Sequence, residues 1–184
     1  MKHYLITDPH YYTSKPQQFL QTLLHVKEQK HLDYICLRDK QTLHYEELAK
    51  ILTNNRLQFS GIKLYLHTHF TLAALLHYDG VHLPSHMIES IAHAKALGLE
   101  VIYSAHSLDD ALKAQEYGAN AISLSPIFET PNKGKPLGLE KLKEINDKIT
   151  INCFALGGII SKEHLDACEK AGVYGFASIR YFLK

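Results

Sequence analysis

Short hydrophobic runs alternate along the chain with longer segments in which hydrophobic positions recur every three or four residues. The short runs end at Gly, Pro or polar residues, which predicts buried strands, and the longer spacing predicts helices that face a core. The predicted strands are residues 4–7, 34–37, 63–66, 80–83, 101–104, 121–124, 152–156 and 174–179. The predicted helices are residues 16–29, 45–52, 72–76, 88–97, 107–118, 139–145 and 161–170.

This regular alternation of strand and helix predicts a (β/α)₈ TIM barrel of the α/β class. Short connections with right-handed crossovers let a parallel sheet close on itself. An open, doubly wound sheet is the alternative. The chain has 184 residues, fewer than the roughly 250 that are usual for this barrel. We therefore expect one compact domain over residues 1–184, with the last helix cut short to residues 180–184.

Composition and charge indicate which classes of binding partner are not expected. The 20 basic and 19 acidic residues leave a formal net charge of +1, whereas an electrostatic grip on nucleic acid needs a strong basic excess. No run approaches the roughly 18 apolar residues of a membrane span. The three cysteines are odd in number and lack a C-x-x-C spacing, which indicates free thiols in a reducing compartment. We expect a cytoplasmic protein that contacts neither nucleic acid nor membrane.

Polar residues follow the predicted strands, where a barrel of this kind builds its site. Cations, hydroxyls and imidazoles dominate, and the only carboxylates are Asp8, Asp39 and Glu129. This balance predicts an anionic small-molecule ligand, such as a phosphate ester. The loops after strands seven and eight are the usual phosphate site of the fold. The candidate residues are Arg38, Lys40, His67, His82, Ser104, Thr130, Asn132, Lys133, Gly157, Gly158 and Arg180.

Structural explanations stand beside these functional ones. His82 alternates with Val81 and Leu83, so it could be a hydrogen-bonded histidine of the barrel interior. His67 and His69 could form a metal pair, but we expect only one of them to face the site. The other structural alternatives are a solvated turn at 38–40, a simple turn at 157–158 and exposed loop charges at Lys133 and Lys135.

Several segments, taken in order, resemble the thiamin phosphate synthase and TenI superfamily over nearly the whole chain. The matching segments are Y-L-I-T-D at 4–8, L-R-D-K at 37–40, G-V-H-L-P-S at 80–85, S-A-H-S-L-D-D-A at 104–111, P-I-F-E-T-P-N-K at 126–133, P-L-G-L at 136–139, A-L-G-G-I at 155–159 and G-F-A-S-I at 175–179. The resemblance implies a (β/α)₈ barrel that acts in thiamin biosynthesis. Members are often dimeric, so a homodimer is also implied.

The synthase branch of this superfamily couples hydroxymethylpyrimidine pyrophosphate to thiazole phosphate with Mg²⁺. The resemblance places pyrophosphate on Arg38, Lys40 and Lys133, with Ser104, Thr130 and Asn132 nearby. It places thiazole phosphate on Gly157, Gly158, Ile179 and Arg180. However, the positions of the two aspartates that carry Mg²⁺ in the synthases are Thr68 and Met87 here, and neither offers the hard carboxylate oxygens that Mg²⁺ prefers.

The residues at 83–85, 107–108 and 128–130 resemble the TenI branch of the superfamily. This branch moves a proton in thiazole phosphate carboxylate without a metal. Its histidine two residues before F-E-T is Pro126 here, so His82 or His67 is expected to serve instead. We expect a TenI-like protein without a cofactor. The alternatives are an active synthase, which would need Mg²⁺, and a degenerate barrel that binds a phosphate ligand without turnover.

Overall fold

Eight parallel strands form a closed barrel in which each strand pairs with its neighbour in sequence and β1 pairs with β8. The structure is a computed structural model and describes residues 1–183. The closed ring of strands confirms the predicted barrel and excludes the open, doubly wound sheet. The strands are β1 Lys2–Ile6, β2 Tyr34–Leu37, β3 Lys63–His67, β4 Gly80–Leu83, β5 Glu100–Ala105, β6 Ala121–Leu124, β7 Asn152–Leu156 and β8 Gly175–Ser178.

Helices cover the outside of the barrel between successive strands. They are α1 Pro9–Tyr12, α2 Pro16–Gln29, α3 Tyr45–Asn54, α4 Phe70–Leu75, α5 Ser90–Ala96, α6 Leu108–Glu116, α7 Gly138–Lys148 and α8 Lys162–Lys170. Ser107 and Ser161 cap α6 and α8 by accepting the N–H groups of Asp110 and His164. Within residues 1–183, no helix is both long and apolar enough to cross a membrane.

Two short elements were missed by the hydrophobic pattern, because neither is long enough to show a period. The first is α1, which Asp8 caps by accepting the N–H of His10 at 3.1 Å. The second is a 3-10 turn at Arg56–Phe59. The predicted remnant of a last helix is a single 3-10 turn at Tyr181–Leu183, and the prediction for residue 184 lies outside the described residues.

The core has two layers because strand side chains alternate between inside and outside. Leu5, Ile35 and Leu37 point outward and pack under the helices. The inner layer is aromatic and includes Tyr4 and Phe154. At its N-terminal end, the Tyr65 hydroxyl donates to Glu100 at 2.5 Å and the hydroxyls of Tyr34 and Tyr174 lie 3.0 Å apart. This aromatic floor occupies the N-terminal end of the barrel interior.

Candidate functional site

A cavity of about 390 Å³ opens at the carboxyl ends of the strands. Residues that follow or end all eight strands contribute to its wall, as expected for this fold. Of the candidates named from the sequence, Asn132 lies outside the wall, in an exposed turn with φ of 59°. Those that line the cavity are Arg38, Lys40, His67, His82, Ser104, Thr130, Lys133, Gly157, Gly158, Ile179 and Arg180.

The turn after β7 lies directly against the loop after β6. Gly157 and Gly158 have φ of 98° and 71°, a region that disfavours side chains. A Cβ on Gly157 would lie 2.7 Å from Cα of Pro126, and one on Gly158 would lie 2.6 Å from the carbonyl oxygen of Glu129. Contact between the two loops therefore requires both glycines, in addition to any approach of an anion that they permit.

Unpaired backbone donors face the same part of the cavity. Across residues 1–183, the N–H groups of Gly158, Ile179 and Arg180 make no hydrogen bond to another described residue, and all three residues line the cavity wall. Successive N–H groups at a turn with positive φ form a concave site that favours anions. This geometry fits a phosphate group at the ends of β7 and β8.

Buried hydrogen bonds hold this backbone in place. The Tyr12 hydroxyl donates to the carbonyl oxygen of Ile179 at 2.6 Å. Ser178 is also buried, and its hydroxyl donates to the carbonyl oxygen of Ile159 at 2.7 Å. The carbonyl groups are thus directed away from the cavity and into the protein, which leaves the neighbouring N–H groups as the polar surface offered to a ligand.

The cations outnumber the available carboxylates at the mouth. Arg38 pairs with Asp8 at 2.9 Å, whereas Lys40, Lys133 and Arg180 form no ion pair with any residue in 1–183. The Asp39 carboxylate is fully engaged within the protein. Its oxygens accept hydrogen bonds from the Ser14 hydroxyl at 2.5 Å and from the N–H groups of Gln41 and Thr42 at 2.9 and 3.0 Å.

His82 forms part of the cavity floor but is almost completely buried, with only 2% of its surface exposed. Its Nδ1 lies 2.9 Å from the Tyr4 hydroxyl, and its Nε2 lies 3.0 Å from the hydroxyls of both Ser104 and Ser123. Burial, with Arg38 nearby, lowers the pKa of His82 to about 3, so the ring is neutral at pH 7. Since both ring nitrogens are occupied, a direct role in proton transfer would require this network to open.

His67 reaches the cavity from the end of β3. Its Nδ1 lies 2.8 Å from the Thr68 hydroxyl, and Nε2 has no partner within the described part of the chain. Burial, followed by the neighbouring charges of His82, Arg38 and Lys40, lowers its pKa to about 2. His69 is exposed and packs against the ring of Tyr45. Of these two histidines only His67 faces the cavity, as predicted, but strand alternation is not the reason, because residues two apart share a face of a strand. The two histidines diverge because β3 ends at His67 and Thr68 has φ of 72°.

His106 is the cavity histidine to which the sequence assigned no role. Its Nδ1 lies 2.8 Å from the carbonyl oxygen of Ser125. A carbonyl can only accept, so Nδ1 carries the proton and Nε2 holds the free electron pair in the neutral ring. The signal that could have identified it is its position two residues after Ser104, at the end of β5.

Comparison with known proteins agrees with this geometry. Residues 3–182 match the family model described as thiamine monophosphate synthase, TMP-TENI. The chain belongs to this family. A family member from Aquifex aeolicus described as "Putative thiamine-phosphate synthase 2" is 37% identical over 98% of this chain and 97% of its own length. The thiamine-phosphate synthase of Clostridium novyi is 34% identical over 67% of this chain and 63% of its own length.

A solved structure from the same family has the same barrel. The thiamine phosphate pyrophosphorylase of Pyrococcus furiosus superposes with a TM-score of 0.81 and 28% sequence identity, covering 97% of this chain and 85% of its own. The match extends over nearly all the described elements, so the family relationship covers the barrel mouth as well as the scaffold. It does not separate the synthase branch from the TenI branch.

The donor atoms at the expected Mg²⁺ position do not fit that ion. Thr68 has φ of 72° and its hydroxyl is bonded to His67, while Met87 packs against the core. Mg²⁺ requires hard oxygen ligands, chiefly carboxylates. Within residues 1–183, no three His, Cys, Asp or Glu side chains are grouped so that they could hold a metal ion.

Proposed function

We propose that this family member binds a phosphate ester of the thiazole phosphate type and transfers a proton within it without a metal ion. The observation that carries the proposal is the combination at one mouth of unpaired N–H groups, free cations, and two carboxylates, Asp8 and Asp39, that are already bonded within the protein. Phosphate is favoured there by charge and by geometry. A divalent cation is disfavoured because the carboxylates that would bind it are replaced or already bonded.

The proposed phosphate site is the turn after β7 together with the end of β8. The N–H groups of Gly158, Ile179 and Arg180 would each donate to a phosphate oxygen, and the Arg180 guanidinium would add charge. A carboxylate on the same ligand could pair with Lys40 or Lys133 across the cavity. Thiazole phosphate carboxylate carries both anionic groups, so it matches both sets of donors.

Proton transfer in the proposal uses a histidine whose ring nitrogen is free to reach the ligand. His67 and His106 both line the cavity with Nε2 unbonded within residues 1–183. One of them takes a proton from one atom of the ligand, and a proton returns to a second atom. Substrate and product are then isomers, so no co-reactant is needed. His82 contributes through Ser104 rather than by contact with the ligand.

The low pKa of His67 weighs against it as a base in the ligand-free protein. Part of the lowering comes from Arg38 and Lys40. A dianionic ligand beside these cations would neutralise them and raise the pKa of the ring again. His106 is exposed and its Nε2 is unbonded within residues 1–183, so it is the stronger candidate before the ligand binds.

An active thiamin phosphate synthase is the second candidate. It is favoured by the 37% sequence identity to the Aquifex protein, which extends over nearly the whole length of both chains. It is also favoured by the convergence of Arg38, Lys40 and Lys133 on the cavity, where they could hold pyrophosphate. This reaction requires leaving-group stabilisation that the side chains would have to supply without the usual carboxylate-bound metal.

One pair of incubations separates the candidates. Thiazole phosphate carboxylate is incubated with the protein and EDTA in D₂O, and isomerisation and deuterium uptake are followed by proton NMR. In parallel, hydroxymethylpyrimidine pyrophosphate and thiazole phosphate are supplied with Mg²⁺. The proposal predicts isomerisation in the first and no coupled product in the second. Coupled product contradicts it, and tight phosphate-ester binding with no turnover in either supports the degenerate barrel.

Variants identify the histidine that acts. Alanine at His106 or His67 is expected to lower the isomerisation rate by about 10²-fold or more. Alanine at His93, an exposed histidine of α5, is the matched control and should leave the rate unchanged. If alanine at His67, His82 and His106 each left isomerisation untouched, histidine-mediated proton transfer would be refuted.

A further inference from the structure

Tyr4 lies in the barrel interior with no exposed surface, and the cavity does not include it among its wall residues. Its hydroxyl lies 2.9 Å from Nδ1 of His82, and the two rings are stacked with centroids 5.8 Å apart. This contact connects the sealed interior to the floor of the cavity. Its effect depends on which of the two groups donates the proton.

The surroundings favour donation by Tyr4. His82 is neutral, so one ring nitrogen donates and the other accepts. If Nδ1 donated, the Tyr4 proton would be left with the thiol of Cys36, the other polar group beside that hydroxyl. Sulfur is a weak acceptor, whereas an imidazole nitrogen is a good one. The better arrangement has Tyr4 donating to Nδ1, which puts the His82 proton on Nε2.

That proton faces two hydroxyls. Nε2 of His82 lies 3.0 Å from both Ser104 and Ser123, which are opposite each other in the register of β5 and β6. With Nε2 as donor, its single N–H is shared between the two serine oxygens, and neither hydroxyl proton is used in bonding to the ring. Ser123 is fully buried, whereas Ser104 is half-buried and lines the cavity. Of the two serines, only Ser104 can therefore offer its hydroxyl proton to a ligand in the cavity.

We propose that Tyr4 is a positioning residue: by donating to Nδ1 of His82 it fixes the Nε2–H tautomer and turns the Ser104 hydroxyl proton toward an anion in the cavity. The choice of an anion rests on the proposed function. In the opposite tautomer Ser104 would donate to Nε2 and present lone pairs to the cavity, which would repel a phosphate or carboxylate oxygen.

The tautomer is measured first, in the ligand-free protein, by ¹⁵N NMR of His82 at pH 7. The wild type is expected to show a protonated Nε2 and an unprotonated Nδ1. Tyr4→Phe is expected to lose this preference and populate the Nδ1–H form. Tyr34→Phe is the matched control, because it removes a buried hydroxyl bonded to Tyr174 rather than to His82. A wild-type ring protonated on Nδ1, or an unchanged tautomer in Tyr4→Phe, overturns the proposal.

The consequence for the ligand is measured with thiazole phosphate carboxylate as the probe, because it carries a second anionic group in addition to the phosphate. Tyr4→Phe and Ser104→Ala are each expected to weaken its binding about tenfold, the loss of one hydrogen bond to a charged group. Because Tyr4 acts through Ser104, the double variant should bind no more weakly than Ser104→Ala alone. Additive losses in the double variant contradict the proposed link.

Different results would refute the positioning role of Tyr4 and the proposed function. The tautomer needs no ligand, so it decides the assignment of Tyr4 even if the wild-type protein did not bind thiazole phosphate carboxylate at all. Absence of binding of this ligand by the wild type would refute the proposed function. A normal affinity in Tyr4→Phe, beside a strong loss in Ser104→Ala, would refute the positioning role while leaving the proposed function intact.

Discussion

The imidazole of His164 stacks on the ring of Phe128, with 4.3 Å between the ring centroids and 27° between the planes. His164 belongs to α8, and Phe128 belongs to the loop after β6. The same imidazole accepts the N–H of Ile160 through Nδ1 at 3.4 Å. One side chain therefore ties the loop after β7, which forms part of the proposed phosphate site, to the neighbouring loop after β6.

Replacing His164 by alanine tests this tie. Loss of the stacked pair should lower the free energy of unfolding by about 1 kcal/mol and weaken phosphate binding, because both loops gain freedom. Urea denaturation and phosphate titration measure the two effects. His93→Ala is the control, since His93 is exposed on α5 and distant from these loops in the chain. An unchanged phosphate affinity in His164→Ala would refute the link between the stack and the site.

Gly158 and Gly61 form a matched pair for testing the loop contact. Both have positive φ, 71° and 81°, but only Gly158 has neighbours that a Cβ would strike. Gly61→Ala should cost about 1 kcal/mol of stability for its backbone conformation alone. Gly158→Ala should cost about 3 kcal/mol, because overpacking is added, and should abolish phosphate binding. Equal destabilisation of the two variants would show that the contact with the loop after β6 is unimportant.

Arg180 tests the charge of the phosphate site, because it lines the cavity wall just after β8. Arg180→Ser should weaken the binding of inorganic phosphate about tenfold without changing stability, since Arg180 forms no ion pair within residues 1–183. Lys143→Ser, on the outer helix α7, removes the same charge elsewhere and should leave binding unchanged. Tighter binding in Arg180→Ser would mean that the guanidinium obstructs the site.

The buried His82 makes stability depend on pH. Its pKa is about 3 in the folded protein, against roughly 6.5 when unfolded. The unfolded chain binds the proton more readily, so stability is complete above about pH 6.5 and is lost as the pH falls towards 3. From pH 7 to 5, His82 alone contributes an expected loss of about 2 kcal/mol. His67, whose pKa is also lowered by burial, adds to the total loss that urea denaturation of the wild type measures. The stability of His82→Gln should fall less steeply with decreasing pH than that of the wild type or of the control His93→Gln. An equally steep fall in His82→Gln would contradict the conclusion that His82 is buried as a neutral ring.

The barrel could be predicted from the sequence because each strand is a short apolar run that ends at a polar residue. The bounds of β2, β4, β6 and β7 agree with the prediction to the residue. The same feature identified most of the cavity wall, since the residue after a parallel strand must lie at the mouth. Helix ends were less well placed: α7 continues to Lys148, three residues beyond its prediction, because its last turn is polar.

The environment of each side chain could not be predicted in this way. The period of two placed His82 inside the barrel, but not its contacts with Tyr4 and Ser123, which come from strands that lie far from it in sequence. Similarly, Gly157 and Gly158 indicated an approach by an anion, whereas their nearest neighbours are backbone atoms of the loop after β6. Such contacts depend on the packing of loops, which hydrophobic periodicity does not encode.

The most direct test of metal-independent phosphate binding is a crystal structure of the protein grown with thiazole phosphate and Mg²⁺. We expect the phosphate group against the N–H groups of Gly158 and Arg180, with no cation bound by side chains of the barrel mouth. A Mg²⁺ ion chelated there by the protein, or a phosphate group bound away from the ends of β7 and β8, would contradict the proposed function.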